Sequence, residues 1–207
     1  MELTVKDVAT WLELSNKYIQ ENKEYLTELD QKIGDGDHGI NMARGFQEVM
    51  HKMIEQDYQT ISDVLKDTAM TLISKVGGAS GPLLGTAFLK MSTSVKGQEN
   101  LDTAAFSAAL NEAVNGVKQR GKSTEGEKTL LDVWSPMADY FSGTDDFSSD
   151  SIIETAKKAM ADTEDMQATK GRAAYFKEKS VGHIDPGAAT SYYIFAGLAY
   201  AVKGGNH

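Results

Sequence analysis

The sequence predicts a nearly all-helical chain, and three observations predict it. Apolar residues recur at spacings of three and four through most of the length. Capping residues and prolines fall where those patterns begin. No alternation of apolar and polar residues is long enough for a useful strand. About eight helices are expected, with no internal repeat.

Taken in order, Thr4 with Asp7 reads as a capping box, with Asp in place of the usual Glu. Residues 24–33 read as helix up to a glycine-rich turn. Thr60 with Asp63 repeats the box before Ile61, Val64, Leu65, Ala69, Leu72, Ile73 and Val76, which share one helical face. Ser80-Gly81-Pro82 sets a capping residue beside a proline suited to a first turn, and Leu83, Leu84, Ala87, Phe88, Met91 and Val95 follow. Phe106, Ala109, Leu110, Ala113, Val114 and Val117 make the next stripe. Around Pro136 two readings stand: Ser135 caps a new helix, or Pro136 kinks one begun near Thr129. Ile152, Ile153, Ala156 and Met160 give another stripe. Asp185-Pro186 opens the last pattern, 188–202, which is apolar on most sides and predicts a central helix. These stripes are core. Residues 142–149 form a polar loop, and 121–128 and 169–186 are longer connections punctuated by glycine. Loops of that length in a compact domain are often functional.

Composition narrows the function. The 207 residues fit one domain, expected to run over 1–207. Hydrophobic residues make up 41% and charged residues 25%, an ordinary globular balance with material for a core. Thirty acidic against 21 basic side chains give a net charge of −9. Such a surface repels nucleic acid and anionic lipid, so neither is expected as a partner. A phosphate ligand would need a local positive charge, and a bound cation can supply it. Cysteine is absent, which excludes disulfides, thiol catalysis and thiolate metal sites and suits a reducing compartment. No run reaches the ~18 apolar residues of a membrane span. Met1 to Lys6 lack the basic start and apolar stretch of a signal peptide, so a cytoplasmic location is expected.

Three glycine-rich stretches invite phosphate-binding readings. Gly34-Asp35-Gly36-Asp37-His38-Gly39 fits the dinucleotide pattern, but residues before it read as helix and its two carboxylates would repel a pyrophosphate. Residues 116–123, GVKQRGKS, fit the phosphate-loop pattern in full, yet they follow a helix instead of a strand. Gly77-Gly78-Ala79-Ser80-Gly81 opens a helix whose exposed amides and dipole favour an anion, with a plain helix connection as the alternative.

Asp30, Asp35 and Asp37 fall within eight residues around Gly34, Gly36 and Gly39. Three carboxylates so close repel one another unless a cation sits among them, and hard oxygen ligands suit Mg²⁺ or Ca²⁺. A calcium loop started at Asp35 puts Ile40 where glycine is required and Phe46 where glutamate is required, which dismisses it. A solvated acidic turn would not need glycines on each side of Asp35. Mg²⁺ shares its shell with substrate phosphates, so this reading implies a phosphorylated ligand. In Lys170-Gly171-Arg172 an arginine could clamp a phosphate, although surface charge explains that segment as well.

In combination these stretches resemble the nucleotide-binding L subunit of bacterial dihydroxyacetone kinase. The resemblance runs through Leu29-Asp30, 33–39, Asn41, Arg44-Gly45-Phe46, Met70-Thr71-Leu72, 77–83, Arg120-Gly121-Lys122, Lys128-Thr129, Asp132-Val133-Trp134, 170–173, Gly182-His183 and Asp185-Pro186-Gly187. The blocks arrive in order and span nearly the whole chain. The resemblance implies a closed barrel of eight amphipathic helices with a nucleotide at one end, its diphosphate on two Mg²⁺ ions. It implies metal ligation by Asp30, Asp35 and Asp37. It also implies nucleotide contacts at His38, Gly39, Ile40, Asn41, Ala79, Ser80, Gly121, Leu130, Arg172, Asp185, Pro186 and Gly187. Arg172, with the amides around Ala79 and Ser80, would stabilise charge in the transition state.

Two versions of the enzyme differ in phosphoryl donor. A single domain standing alone resembles the version fed by the phosphoenolpyruvate:sugar phosphotransferase system. In that version tightly bound ADP is phosphorylated in place by a phosphohistidine-carrying M subunit, and the γ-phosphoryl passes to dihydroxyacetone on a K subunit. The rivals are the nucleotide half of a split ATP-dependent kinase and a regulatory adaptor switched by nucleotide.

Overall fold

The computed structural model describes residues 2–144 and 147–204. Asp145 and Asp146, at the tip of the expected 142–149 loop, lie outside the described residues, as do Met1 and 205–207. The elements are β1 (Glu2–Leu3), α1 (Val5–Glu21), α2 (Lys23–Ile33), α3 (His38–Ile54), α4 (Ile61–Lys75), α5 (Ser80–Ser94), β2 (Leu101–Asp102), α6 (Thr103–Gly121), α7 (Leu131–Gly143), α8 (Ser149–Asp162) and α9 (Pro186–Gly204). Two 3₁₀ segments, Thr163–Asp165 and Arg172–Ser180, lie between α8 and α9. β1 and β2 pair antiparallel over two residues each, too short for the sequence to announce.

Local chemistry starts the helices. Thr4 Oγ1 accepts from the Asp7 N–H while Asp7 Oδ2 accepts from the Thr4 N–H, closing the capping box. Thr60 Oγ1 accepts from the Asp63 N–H at α4. Pro186 is the first residue of α9, and Asp185 caps it, its Oδ2 accepting from the Ala188 N–H at 2.7 Å. Pro136 lies inside α7, which starts at Leu131, so the second of the two Pro136 readings gives the helix boundaries. Ser80 is not a cap as expected. Ala79 holds that position and Ser80 is the first helical residue.

Neighbouring helices close a ring: α1 packs on α9, then α8, α7, α6, α5, α4 and α3 follow in turn, and α3 packs back on α1. α2 lies outside the ring against α3 and α9. α9 joins the wall and is buried along most of its length, which accounts for its nearly uninterrupted apolar sequence. Rings fill the axis. Trp11 of α1 meets Phe88 of α5 and Phe106 of α6 at 5.8 and 6.0 Å between centroids, and Trp134 of α7 meets Phe88 and Phe195 at 6.0 and 5.1 Å. Both indole N–H groups find acceptors, Trp11 at the Ile194 carbonyl and Trp134 at the Ser191 hydroxyl. The barrel is therefore packed solid at its middle.

Candidate functional site

At one end α3, α5, α7 and α9 begin around a cavity of about 440 Å³, and α2 and α6 finish beside it. Converging N-termini bring exposed N–H groups and partial positive charge to an otherwise acidic protein.

Asp30 sits in the last turn of α2, and Asp35 and Asp37 in the turn to α3; an oxygen from each lies within 4.8 Å of the others. Asp30 is buried, and its Oδ2 accepts from the backbone N–H groups of Asp37 (2.9 Å) and His38 (3.1 Å). Its Oδ1 lies over Gly34, where any side chain would collide with the carboxylate. The turn is thus wrapped around one fixed carboxylate, with Asp35 and Asp37 on the open side. Three hard oxygen donors, one anchored and two exposed, fit a Mg²⁺ ion that keeps room for phosphate and water. The cation nearest at hand is Arg172, whose Nη2 lies 2.8 Å from Asp35 Oδ2.

His38 opens α3, buried, with Nε2 2.7 Å from Thr190 Oγ1 and Nδ1 3.3 Å from Ser80 Oγ. Burial pushes its imidazole down to about 4, against the pull of Asp30 and Asp37, so it is neutral at pH 7. It ties the starts of α3, α5 and α9 together, and this tie holds the Ser80 hydroxyl. Asn41 Oδ1 accepts from Arg44 Nη2 at 2.8 Å. Ala79, Ser80, Gly121, Leu130, Pro186 and Gly187 all line the cavity with these residues, and Leu83, Val117 and Leu130 give it an apolar wall. Gly39 and Ile40 do not line it: Gly39 is buried against Lys23 and Thr27 of α2, and the Ile40 side chain points to solvent.

Asp185 is buried beside the cavity, and burial raises its carboxyl to about 7 despite the Ala188 N–H bond. The buried Lys128, held at φ +61°, donates its Nζ to the carbonyls of Thr163 (2.7 Å) and Met166 (3.0 Å), fastening the end of α8. The GVKQRGKS stretch is the end of α6 with Lys122 as its left-handed cap, so no phosphate loop forms there. Arg120 and Ser123 from that stretch nevertheless line the cavity, and sequence reasoning missed both. Their signal was present, because they flank Gly121, but a stripe of core residues ending in a cap does not reveal what the helix end faces.

The family model described as the DAK2 domain matches residues 32–200. A PTS-dependent dihydroxyacetone kinase, ADP-binding subunit DhaL, from Lactococcus lactis is 46% identical over 97% of this chain and 99% of its own. The PEP-dependent dihydroxyacetone kinase ADP-binding subunit DhaL of Escherichia coli is 39% identical over 98% of this chain and all of its own. Among solved structures, the native dihydroxyacetone kinase of C. freundii superposes with a TM-score of 0.72 at 23% identity, covering 93% of this chain and 34% of that one. That likeness establishes the helical barrel alone.

Proposed function

The chain belongs to the DAK2 domain family, and from that premise we propose that it is the ADP-binding subunit of a phosphoenolpyruvate-dependent dihydroxyacetone kinase. In this reading residues 1–207 act as one nucleotide-binding domain, whose ADP is phosphorylated in place by a phosphohistidine-carrying M subunit. The γ-phosphoryl then passes to dihydroxyacetone on a K subunit, giving dihydroxyacetone phosphate. The setting is cytoplasmic, in keeping with the absence, among the described residues, of any helix long and apolar enough to cross a membrane.

One observation carries the reading: an acidic triad and an arginine share one cavity of a nucleotide's size with four helix N-termini and an apolar wall. Asp30, Asp35 and Asp37 would hold two Mg²⁺ ions, which when bound would neutralise phosphate charge. The chain's own residues do the rest. Asp30 keeps its orientation through two backbone N–H bonds and therefore presents the same oxygen in every cycle. Ala79 and Ser80 offer the N–H groups at the start of α5 to an oxyanion. Arg172 supplies a positive charge at the open side, where a phosphoryl group enters and leaves. His38, being neutral, contributes no charge and holds Ser80 in place. Leu83, Val117 and Leu130 give a base an apolar seat. No side chain has to be phosphorylated.

Mass spectrometry of the small molecules released from freshly purified, heat-denatured protein tests the reading. ADP, near one per chain, is expected. Protein that emerges without nucleotide and fails to take up ADP with Mg²⁺ would refute it.

A further inference from the structure

Arg172 stands at the end of a segment with little regular structure. After α8 and its 3₁₀ turn, residues 166–169 lead to Lys170 and Gly171 on the cavity rim before Arg172 reaches Asp35. An irregular stretch places an arginine reproducibly only if something fixes it. Lys128 holds the Met166 carbonyl and Ser180 the Ala168 N–H, and Glu127 holds Thr169 and Lys170, the residues just before Gly171 and the arginine. Its Oε2 accepts from the Thr124 N–H at 2.8 Å, which anchors the carboxylate on its own turn between α6 and α7. Its Oε1 accepts from Thr169 Oγ1 at 3.1 Å and lies 3.8 Å from Lys170 Nζ, and its backbone carbonyl accepts from the Thr169 N–H at 3.3 Å. Beyond Lys170 the chain passes through Gly171 at φ +63°, ψ −160°, a conformation that L side chains rarely adopt, and then delivers Arg172. Glu127 is thus the last anchor before the glycine hinge.

We infer that Glu127 is a positioning residue for the bound nucleotide: it holds Thr169 and, with it, Lys170 on the cavity rim and so keeps Arg172 over the diphosphate. The inference rests on the nucleotide reading above. The segment is fastened at two ends of different character. On the Glu127 side a carboxylate, a hydroxyl, an ammonium and backbone groups share several bonds. On the far side the exposed Arg172–Asp35 pair lies beside Ala173, which packs with Ala168 and with Ile33 of α2. The Arg172 side chain itself is held only at its exposed tip, and the Glu127 end limits how far it strays. Loosening that end lets Arg172 swing away without unfolding the barrel, because none of these groups belongs to the aromatic core.

The test measures release of fluorescent-labelled ADP, preloaded with Mg²⁺, after addition of excess unlabelled ADP. Glu127→Ala is expected to release label about tenfold or more faster than wild type. Glu127→Gln, which keeps one acceptor oxygen for the Thr124 N–H but loses the other and the Lys170 pair, should lie between them. The nucleotide-free melting temperature of each should stay close to wild type. Glu125→Gln serves as a control, since Glu125, on the same turn as Glu127, pairs with Lys118 of α6 and lies outside the cavity lining. Wild-type release rates in Glu127→Ala would overturn the inference and leave the nucleotide site standing. Equal acceleration in Glu125→Gln would overturn it too, by showing that the whole turn matters and not Glu127. Wild type that never retains ADP would instead remove the nucleotide reading itself.

Discussion

Nη2 of Arg172 lies 2.8 Å from Oδ2 of Asp35, joining the rim segment after α8 to the acidic turn between α2 and α3. The two side chains are 66% and 37% exposed, so the pair adds only about 0–1 kcal/mol to stability. Its consequence is placement. A cation is already stationed where three carboxylates would otherwise face phosphate without relief.

Replacing Arg172 by Gln should therefore separate stability from chemistry. The melting temperature of the nucleotide-free protein should move by no more than about 4 °C. The rate of phosphoryl transfer should drop by roughly 10²–10³, the loss typical of one transition-state donor. Calorimetry and a coupled transfer assay check the two halves. An unchanged rate would remove Arg172 from the mechanism.

The acidic triad is not uniform. Asp37→Asn should abolish Mg²⁺-dependent nucleotide binding while helix content by circular dichroism stays near wild type, since the Asp37 side chain is exposed. Asp30→Ala should abolish binding and also destabilise the fold by about 1–3 kcal/mol, because two N–H groups lose their acceptor. Normal ADP affinity in Asp37→Asn would contradict the site.

Asp185 gives a pH signature. Burial raises its carboxyl from 3.8 to about 7, so between those values the folded chain keeps a proton that the unfolded chain releases. Its contribution to stability is complete below about 4 and is lost as pH rises through 7. Asp185→Asn keeps an acceptor for the Ala188 N–H without the charge. The variant should gain on wild type as pH rises from 4 to 8, by up to about 4 kcal/mol. Parallel melting curves at each pH measure it, and a difference that stays flat with pH would contradict the assignment.

Much of this was legible before any coordinates. The helical stripes marked the buried faces, and the caps at Thr4, Thr60 and Asp185 fixed three helix starts because each is a local event within four residues. The acidic turn could be read because its ligands lie close in sequence. Closure of the ring could not, since periodicity shows which face of a helix is buried and not which helix buries it. Nor could the roles of Glu127, Lys128 and Arg120, whose partners or cavity lie across the fold. Ser80 shows the opposite error: a good capping residue in a capping context that His38 recruits instead.

Ligand should also stabilise the barrel, because the turns at Gly34, Gly77 and Lys170 carry few large apolar side chains. Free Mg·ADP about a thousandfold above its dissociation constant adds ~4 kcal/mol, roughly 8–16 °C in a chain of this size. Dialysis against EDTA should lower the melting temperature and Mg·ADP restore it. A curve indifferent to both would count against metal and nucleotide alike.

The central claim is that ADP remains in place while only its terminal phosphoryl turns over. Protein loaded with ADP labelled in the adenine ring is given the phosphohistidine donor, the K subunit, dihydroxyacetone and excess unlabelled ADP. Label retained on the chain through many turnovers is the predicted result, because release should be slower than transfer. Loss of label within about one turnover per site, with product made from free ATP and no phosphohistidine donor, would contradict it.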